Sequence, residues 1–247
     1  MYRNRDEAIK TLQEAKPQLL AFLQQVIIDN KFNYETFGKE IEKYLVSKII
    51  EILTTKGIIK NDSDYHLAPN KNHFPELTLY TDPNLAIELK SGNHFKKTLG
   101  RWGTCKNSEN DMGTLNSWGD KLEKFGGDNI YYFFIEYGFN DKQEKIIDVK
   151  FEPFYKFLFV TDGILKYREK DGNLRPKDFD KPSLINSFPE FQSYIEGTEI
   201  YRSKRIVKKH FQYLPLKDME EIYKELEIIL AEAKKLATVK KTDSTDL

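Results

Sequence analysis

Two short stretches of alternating apolar and polar residues constrain this chain more than any other feature. Residues 76–80 and 85–90 both alternate, and residues 81–84 between them read Thr-Asp-Pro-Asn, which is turn chemistry. Side chains two positions apart point to the same face of a strand, so Glu88 and Lys90 share one face. The apolar residues between them point to the other face, into the core. The pattern predicts a β-hairpin that presents a carboxylate and an ammonium group together.

The first strand adds a second carboxylate. Glu76 shares the face of Glu88 and Lys90 if the antiparallel register pairs it with either one, and the short turn allows both registers. Neighbouring carboxylates repel each other unless a cation lies between them, and oxygen-only ligands favour Mg²⁺. Such an ion would hold a phosphate and activate a water, which Lys90 would orient. The alternative is an ordinary exposed Glu-x-Lys triplet, which is frequent in a chain with 39 acidic and 39 basic residues.

Helical periodicity surrounds this hairpin. Apolar residues from Leu12 to Ile27 recur at helical spacing, with Pro17 as a break or a fresh start, and a second helix is expected over residues 34–56, ending at Gly57. Alternation and turn residues predict four more strands, over residues 129–137, 146–151, 157–161 and 164–168. The sequence Asp-Gly at 162–163 predicts a tight turn between the last two. Helical patterns return at 189–196 and 216–236.

This order of elements predicts one α/β domain, with a mixed central sheet flanked by helices, over residues 1–237. Its parts would be a helical segment over residues 1–57, a catalytic sheet over residues 58–170, and a DNA-reading loop with C-terminal helices over residues 171–237. The polar tail, residues 238–247, is expected to be disordered.

Composition limits the classes of protein. Lys+Arg and Asp+Glu are both 39, which argues against indiscriminate coating of nucleic acid but allows a basic cleft. One cysteine, Cys105, excludes an internal disulfide and a multi-cysteine zinc site. Residues 1–10 lack an apolar signal segment, and no stretch is apolar enough to span a bilayer. We therefore expect a soluble, cytoplasmic protein.

The pattern Pro75-Glu76…Glu88-Leu89-Lys90 resembles the P-(D/E)…(D/E)-x-K signature of a nuclease superfamily. Residues 72–100 are similar to the active-site region of the EcoRV-like type II restriction endonucleases within it. The resemblance implies that Glu76 and Glu88 bind Mg²⁺ and that Lys90 is the catalytic lysine. Glu42 falls where the family has an auxiliary acidic residue that assists a second ion, although a solvated helix position is an equal alternative.

The same resemblance implies a homodimer that holds double-stranded DNA in the cleft between its subunits and recognises a palindromic site. Residues 69–71 match a loop that approaches the minor groove, and residues 171–181 match a segment that enters the major groove. The implied DNA-binding residues are Asn70, Lys71, Thr98, Arg101, Asn173, Arg175 and Lys177. For each loop residue, a plain solvent-exposed role is the alternative.

The resulting hypothesis is a type II restriction endonuclease of a restriction-modification system, which would hydrolyse phosphodiester bonds in duplex DNA with Mg²⁺. One alternative is a structure-specific repair nuclease or junction resolvase of the same superfamily. A second alternative is a DNA-binding protein without catalysis, against which the intact Glu88-x-Lys90 argues.

Overall fold

Three helices open the chain, where the apolar periodicity predicted two, the first with a break or fresh start at Pro17. They are α1 (Arg5–Glu14), α2 (Lys16–Asp29) and α3 (Phe37–Thr55). The computed structural model describes residues 4–32, 36–70, 73–93, 111–140, 143–177 and 181–243, with side chains described for all of these except 93, 139–140, 143–144 and 232–243.

Local chemistry sets the ends of these helices. The Asn4 side chain accepts a hydrogen bond from the Asp6 backbone N–H and caps α1. Pro17 lies in the first turn of α2, where a missing N–H costs nothing, so it marks a fresh start instead of a kink. Gly57 follows α3 with φ of 72°, a left-handed conformation that glycine adopts without strain and that ends the helix.

A five-stranded mixed sheet follows, which confirms the predicted α/β class. Its strands are β1 (Tyr65–Leu67), β2 (Leu77–Leu79), β3 (Leu85–Asn93), β4 (Ile130–Asn140) and β5 (Gln143–Pro153). They lie in sequence order, with β3 and β4 parallel and every other neighbouring pair antiparallel. The parallel pair needs a crossover connection, and that connection contains helix α4 (Leu115–Phe125).

Both faces of the sheet are covered, and each has its own apolar core. On one face, α1, α2 and α3 pack against alternate residues of the strands. These sheet residues are Leu77, Leu79, Leu85, Ile87, Leu89, Phe133, Ile135, Val149 and Phe151. The other face presents the residues in between, among them Ala86, Tyr132 and Phe134, to an aromatic cluster around Trp118 of α4. Strand alternation thus sends Glu88 and Lys90 to the face that α4 covers.

The remaining elements differ in part from expectation. Residues Phe154–Phe157 form a 3-10 turn, so only β6 (Val160–Thr161) and β7 (Ile164–Leu165) remain of the last two predicted strands. The turn between them is as predicted, with both Asp162 and Gly163 at positive φ. Strand β1 and helix α4 were not predicted from the sequence.

Two helices end the described chain, α5 (Phe188–Phe211) and α6 (Leu216–Asp243). Helix α6 extends to Asp243, over part of the tail that was expected to be disordered, and the predicted domain limits stay a prediction. The chain divides into two compact units, residues 1–197 and 198–247, where one domain was predicted. The boundary falls inside α5, so it lacks the polar linker that usually marks a domain border. Among the described helices, none has the length and apolarity needed to cross a membrane.

Candidate active site

The hairpin of β2 and β3 brings the predicted residues together. The two strands pair antiparallel, with Leu77 opposite Ile87. Continuing this register by one residue places Glu76 opposite Glu88, not opposite Lys90. Of the two registers that the sequence allowed, the tertiary structure therefore adopts the one that sets the two carboxylates side by side.

Each of the three side chains has a defined partner. The Lys90 ammonium donates to Glu88 Oε1 over 2.6 Å, and the backbone N–H of Leu89 donates to Glu76 Oε2 over 2.7 Å. The carboxyl groups of Glu76 and Glu88 also hydrogen-bond to each other. Glu88 is 8% exposed and Glu76 is partly buried, so the pair is largely shielded from water. We call the surroundings of Glu76, Glu88 and Lys90 the recess.

The floor of this recess is apolar. Strand β4 places Tyr132 beside Glu88 and Phe134 beside Lys90, and both aromatic side chains are fully buried. An apolar floor keeps water away from the charged groups and strengthens the electrostatic interactions among them. The site therefore consists of ionisable groups in a poorly solvated setting.

Burial controls the protonation of Glu76. It raises the pKa of Glu76 to about 9, with the charge of Glu88 and the hydrogen bond that protonated Glu76 donates to Glu88 acting in the same direction. Burial alone would lower the pKa of Lys90, but the charges of Glu88, Glu76 and Glu42 and the hydrogen bond to Glu88 together outweigh it, so the pKa of Lys90 moves upward. At neutral pH and without a metal ion, Glu76 holds a proton and Lys90 is an ammonium ion.

Glu42 reaches the site from the opposite face of the sheet. It lies on α3 and hydrogen-bonds to Ser91, which points to the same face as Leu89 and packs against that helix. Burial raises the pKa of Glu42 to about 7, although the hydrogen bond from Ser91 and the charge of Lys90 oppose the shift. Glu42 is thus electrostatically part of the site, while its predicted role toward a metal stays a prediction.

The donor set suits a hard divalent cation bound by two carboxylates. Glu88 Oε2 is buried and, apart from the proton of Glu76, has no hydrogen-bond donor, so its lone pairs are available to a cation once that proton is released. Glu76 faces it across the hairpin, and both ligands are oxygen, as Mg²⁺ prefers. Within the described residues, no three acidic, histidine or cysteine side chains form a metal cluster. Glu42 is separated from the pair because it comes from the other face.

Helix α4 contributes a second cation, which the sequence analysis missed. The Lys121 Nζ lies 4.2 Å from the ring centre of Phe74 and 4.6 Å from that of Trp118. Burial lowers the pKa of Lys121 to about 8; the charge of Glu88 raises it and that of Lys90 lowers it further. A helical apolar pattern could have revealed α4: Leu115, Trp118, Leu122 and Phe125.

The first predicted DNA-reading loop is only partly described. Asn70 is exposed, and its side-chain oxygen lies 3.0 Å from Nδ1 of His73. Three predicted DNA-binding residues lie outside the described part of the chain: Lys71, Thr98 and Arg101. A role for Asn70 in binding DNA stays a prediction.

The second predicted loop is held within the protein. Arg175 is 9% exposed and donates to the carboxylate of Asp111 over 2.8 Å, and Lys177 is 8% exposed and donates to the carbonyl of Lys181 over 2.7 Å. Asn173 is partly buried, with its backbone in short β-bridge contacts. The solvent-exposed alternative is therefore wrong for Arg175 and Lys177, and a role of Asn173, Arg175 and Lys177 in binding DNA stays a prediction. Paired, desolvated side chains stabilise the loop instead.

Comparisons with known proteins add a distant structural likeness. Neither a protein-family model nor a curated protein sequence matches this chain. Among solved structures it is similar to one titled NlaIV restriction endonuclease, with 16% sequence identity and a TM-score of 0.47, over 70% of this chain and 67% of the other. A likeness of this size carries no functional inference, so the chemistry of the site has to supply it.

Proposed function

We propose that this protein is a Mg²⁺-dependent endonuclease that hydrolyses phosphodiester bonds in double-stranded DNA. One observation supports the proposal above all. Glu76 and Glu88 meet across the β2–β3 hairpin, and the Lys90 ammonium is hydrogen-bonded to Glu88 at the same recess. Two carboxylates beside a lysine are the groups that a metal-assisted attack on a phosphodiester requires.

Glu76 and Glu88 are the residues that would hold the ion. Bound there, Mg²⁺ would polarise the phosphate and offset the negative charge that develops as the bond breaks. Without a cation the two carboxyl groups avoid repulsion by keeping a proton, as the raised pKa of Glu76 indicates. Metal binding at this pair is therefore accompanied by release of that proton.

Lys90 acts as a hydrogen-bond donor. Its pKa is raised by Glu88, so it stays an ammonium ion and is not the base that accepts a proton from water. It donates to Glu88 Oε1, and its remaining hydrogens are able to orient an attacking water or a phosphate oxygen. Glu42 lies where its charge stabilises the Lys90 ammonium, which is the auxiliary role we propose for it.

Further features of the proposal come from the resemblance to the EcoRV-like restriction endonucleases. These are recognition of a specific palindromic site, a homodimer with DNA in its cleft, and a place in a restriction-modification system. Asn70, Lys71, Thr98 and Arg101 are the residues proposed to contact DNA. Asn173, Arg175 and Lys177 could do so only if DNA binding opened their present contacts.

Incubation of the purified protein with phage DNA, in Mg²⁺ and separately in EDTA, tests the proposal. We expect cleavage only with Mg²⁺, and loss of cleavage by at least about 100-fold in Glu88→Gln and Lys90→Met, as for groups that act at the reacting centre. Glu51→Gln is the matched control, because Glu51 is an exposed glutamate on α3 whose ion pair with Lys48 lies on the helix surface.

The ends of the fragments decide the type of nuclease. Sequencing them should reveal one repeated site for a restriction enzyme, whereas nicks at junctions or damaged positions would identify a repair nuclease or resolvase. If DNA is bound but never cut, the chain is a DNA-binding protein without catalysis. If Glu88→Gln and Lys90→Met cut as well as the unmodified protein, the assigned site is wrong.

A further inference from the structure

Lys121 lies beside the proposed active site and belongs to no part of the motif. Its ammonium rests on the rings of Phe74 and Trp118, at 4.2 and 4.6 Å from their centres. Phe74 is two residues before Glu76 in the chain, so this aromatic platform is joined directly to the carboxylate pair. The ammonium also lies close to Gly113, where an added Cβ would come within 2.5 Å of it.

The charge of Lys121 is not balanced locally. Within the part of the chain that the structure describes, no carboxylate forms an ion pair with it, whereas Lys90 is bonded to Glu88 over 2.6 Å. Lys121 interacts with Glu88 only through longer-range attraction, and Lys90 repels it. The cation–π contacts recover part of the cost of holding an ammonium in a partly buried position. An anion brought to this position would recover more.

The anion that the proposed reaction brings to this recess is a phosphate of the DNA backbone. The Glu88 carboxylate repels it, and one of the three hydrogen-bond donors of Lys90 is already engaged by Glu88. A compact ammonium with three donors is well suited to a phosphate oxygen. Its side chain is anchored by aromatic rings, so little rotational freedom is lost when the contact forms.

We propose that Lys121 binds a phosphate oxygen of the DNA backbone at the active site, as a phosphate-binding residue additional to Glu76, Glu88 and Lys90. This inference rests on the proposed nuclease function. It assigns the two lysines different tasks. Lys90 acts next to the carboxylates, and Lys121 holds the backbone from the side of α4.

The test measures DNA binding in EDTA, where no cleavage occurs, by fluorescence anisotropy of a labelled mixed-sequence duplex at several salt concentrations. We expect Lys121→Met to bind about 10- to 150-fold more weakly, the usual effect of losing one charge-assisted hydrogen bond. The slope of log K against log salt should fall by about 0.9, since one phosphate contact is lost. Lys121→Arg should restore most of the affinity and the slope.

Lys124→Met is the matched control. Lys124 lies on the same helix and is exposed, so its replacement removes the same charge without removing a group that faces the recess. It should leave affinity and slope close to those of the unmodified protein. Equal losses in both variants would overturn the proposal, because they would show only a general effect of net charge.

A second measurement covers the case in which Lys121→Met does not fold. Acetylation of the unmodified protein with acetic anhydride, read by mass spectrometry, should show that duplex DNA protects Lys121 and not Lys124. If the unmodified protein binds DNA while Lys121 gains no protection and its replacement changes nothing, the role of Lys121 fails and the nuclease proposal stands. If the unmodified protein binds no DNA at all, both proposals fail.

Discussion

Replacing Glu76 by glutamine tests whether the two carboxyl groups share a poorly solvated site. Burial, the charge of Glu88 and the hydrogen bond that protonated Glu76 donates to Glu88 raise the pKa of Glu76 from 4.5 to about 9. Glutamine has nearly the same shape and never ionises. Glu76→Gln therefore removes the titration while it leaves the packing of the hairpin almost unchanged.

The direction of the effect follows from proton linkage. An acid whose pKa is higher in the folded protein than in the unfolded chain keeps its proton longer when folded. Between pH 4.5 and about 9, the folded protein holds this proton and the unfolded chain does not. The contribution of Glu76 to the stability of the metal-free protein should therefore be greatest below pH 4.5. It should decrease as the pH rises from 4.5 to about 9.

The magnitude follows from the width of the window. One proton of difference changes the free energy of unfolding by about 1.4 kcal/mol per pH unit, so three units give an upper value of about 4 kcal/mol. Glu76 is partly exposed, and solvent screening at its open side reduces this to about 2 kcal/mol. We take the free energy of unfolding of Glu76→Gln minus that of the unmodified protein. This difference should be about 2 kcal/mol larger at pH 8 than at pH 5. Glu42 titrates in both proteins, so its contribution cancels.

Urea unfolding in EDTA at the two pH values, followed by tryptophan fluorescence, provides the measurement. Trp118 belongs to the unit of residues 1–197, so its fluorescence reports the unit that contains the site. Glu51→Gln, the exposed control on α3, should show no pH-dependent difference. If the difference between Glu76→Gln and the unmodified protein were the same at pH 5 and pH 8, the picture of a proton-sharing carboxyl pair would be refuted.

Three further predictions concern the same unit. Mg²⁺ at ten times its Kd should stabilise the unmodified protein by about 1.4 kcal/mol and should stabilise Glu88→Gln much less. Thermal unfolding at pH 8 measures this, and equal stabilisation of both proteins would place the ion elsewhere. Trp118→Ala should cost about 3–5 kcal/mol in urea unfolding, because Trp118 is fully buried and stacked 4.2 Å from Phe154, and a loss below about 1 kcal/mol would contradict that packing. Arg175→Met should cost about 1–3 kcal/mol of stability because it breaks the contact with Asp111; weaker DNA binding at unchanged stability would instead support its predicted role as a DNA-reading residue.

Much of the local structure was determined by the sequence alone. Apolar spacing located α1, α2 and α3, and Pro17 and Gly57 marked a helix start and a helix end because their backbone preferences act wherever they occur. Alternation located the strands of the β2–β3 hairpin, and the period of two residues placed Glu88 and Lys90 on one face. These conclusions needed only neighbours within a few residues.

The tertiary structure decided everything that depends on distant parts of the chain. The pairing of β2 with β3 chose the register that sets Glu76 against Glu88, and the packing of α3 brought Glu42 from the other face. The crossover helix α4 brought Lys121, and loop packing buried Arg175. No local pattern encodes these placements, because each depends on which surfaces bury each other.

The same reason explains the electrostatics of the site. A glutamate in a sequence has an ordinary pKa, and only the water removed from around it, together with the charges that the fold brings close, shifts that value. Sequence spacing put two charged groups on one strand face. The folded chain turned them, with Glu76 from the neighbouring strand, into a desolvated group of charges able to hold a cation.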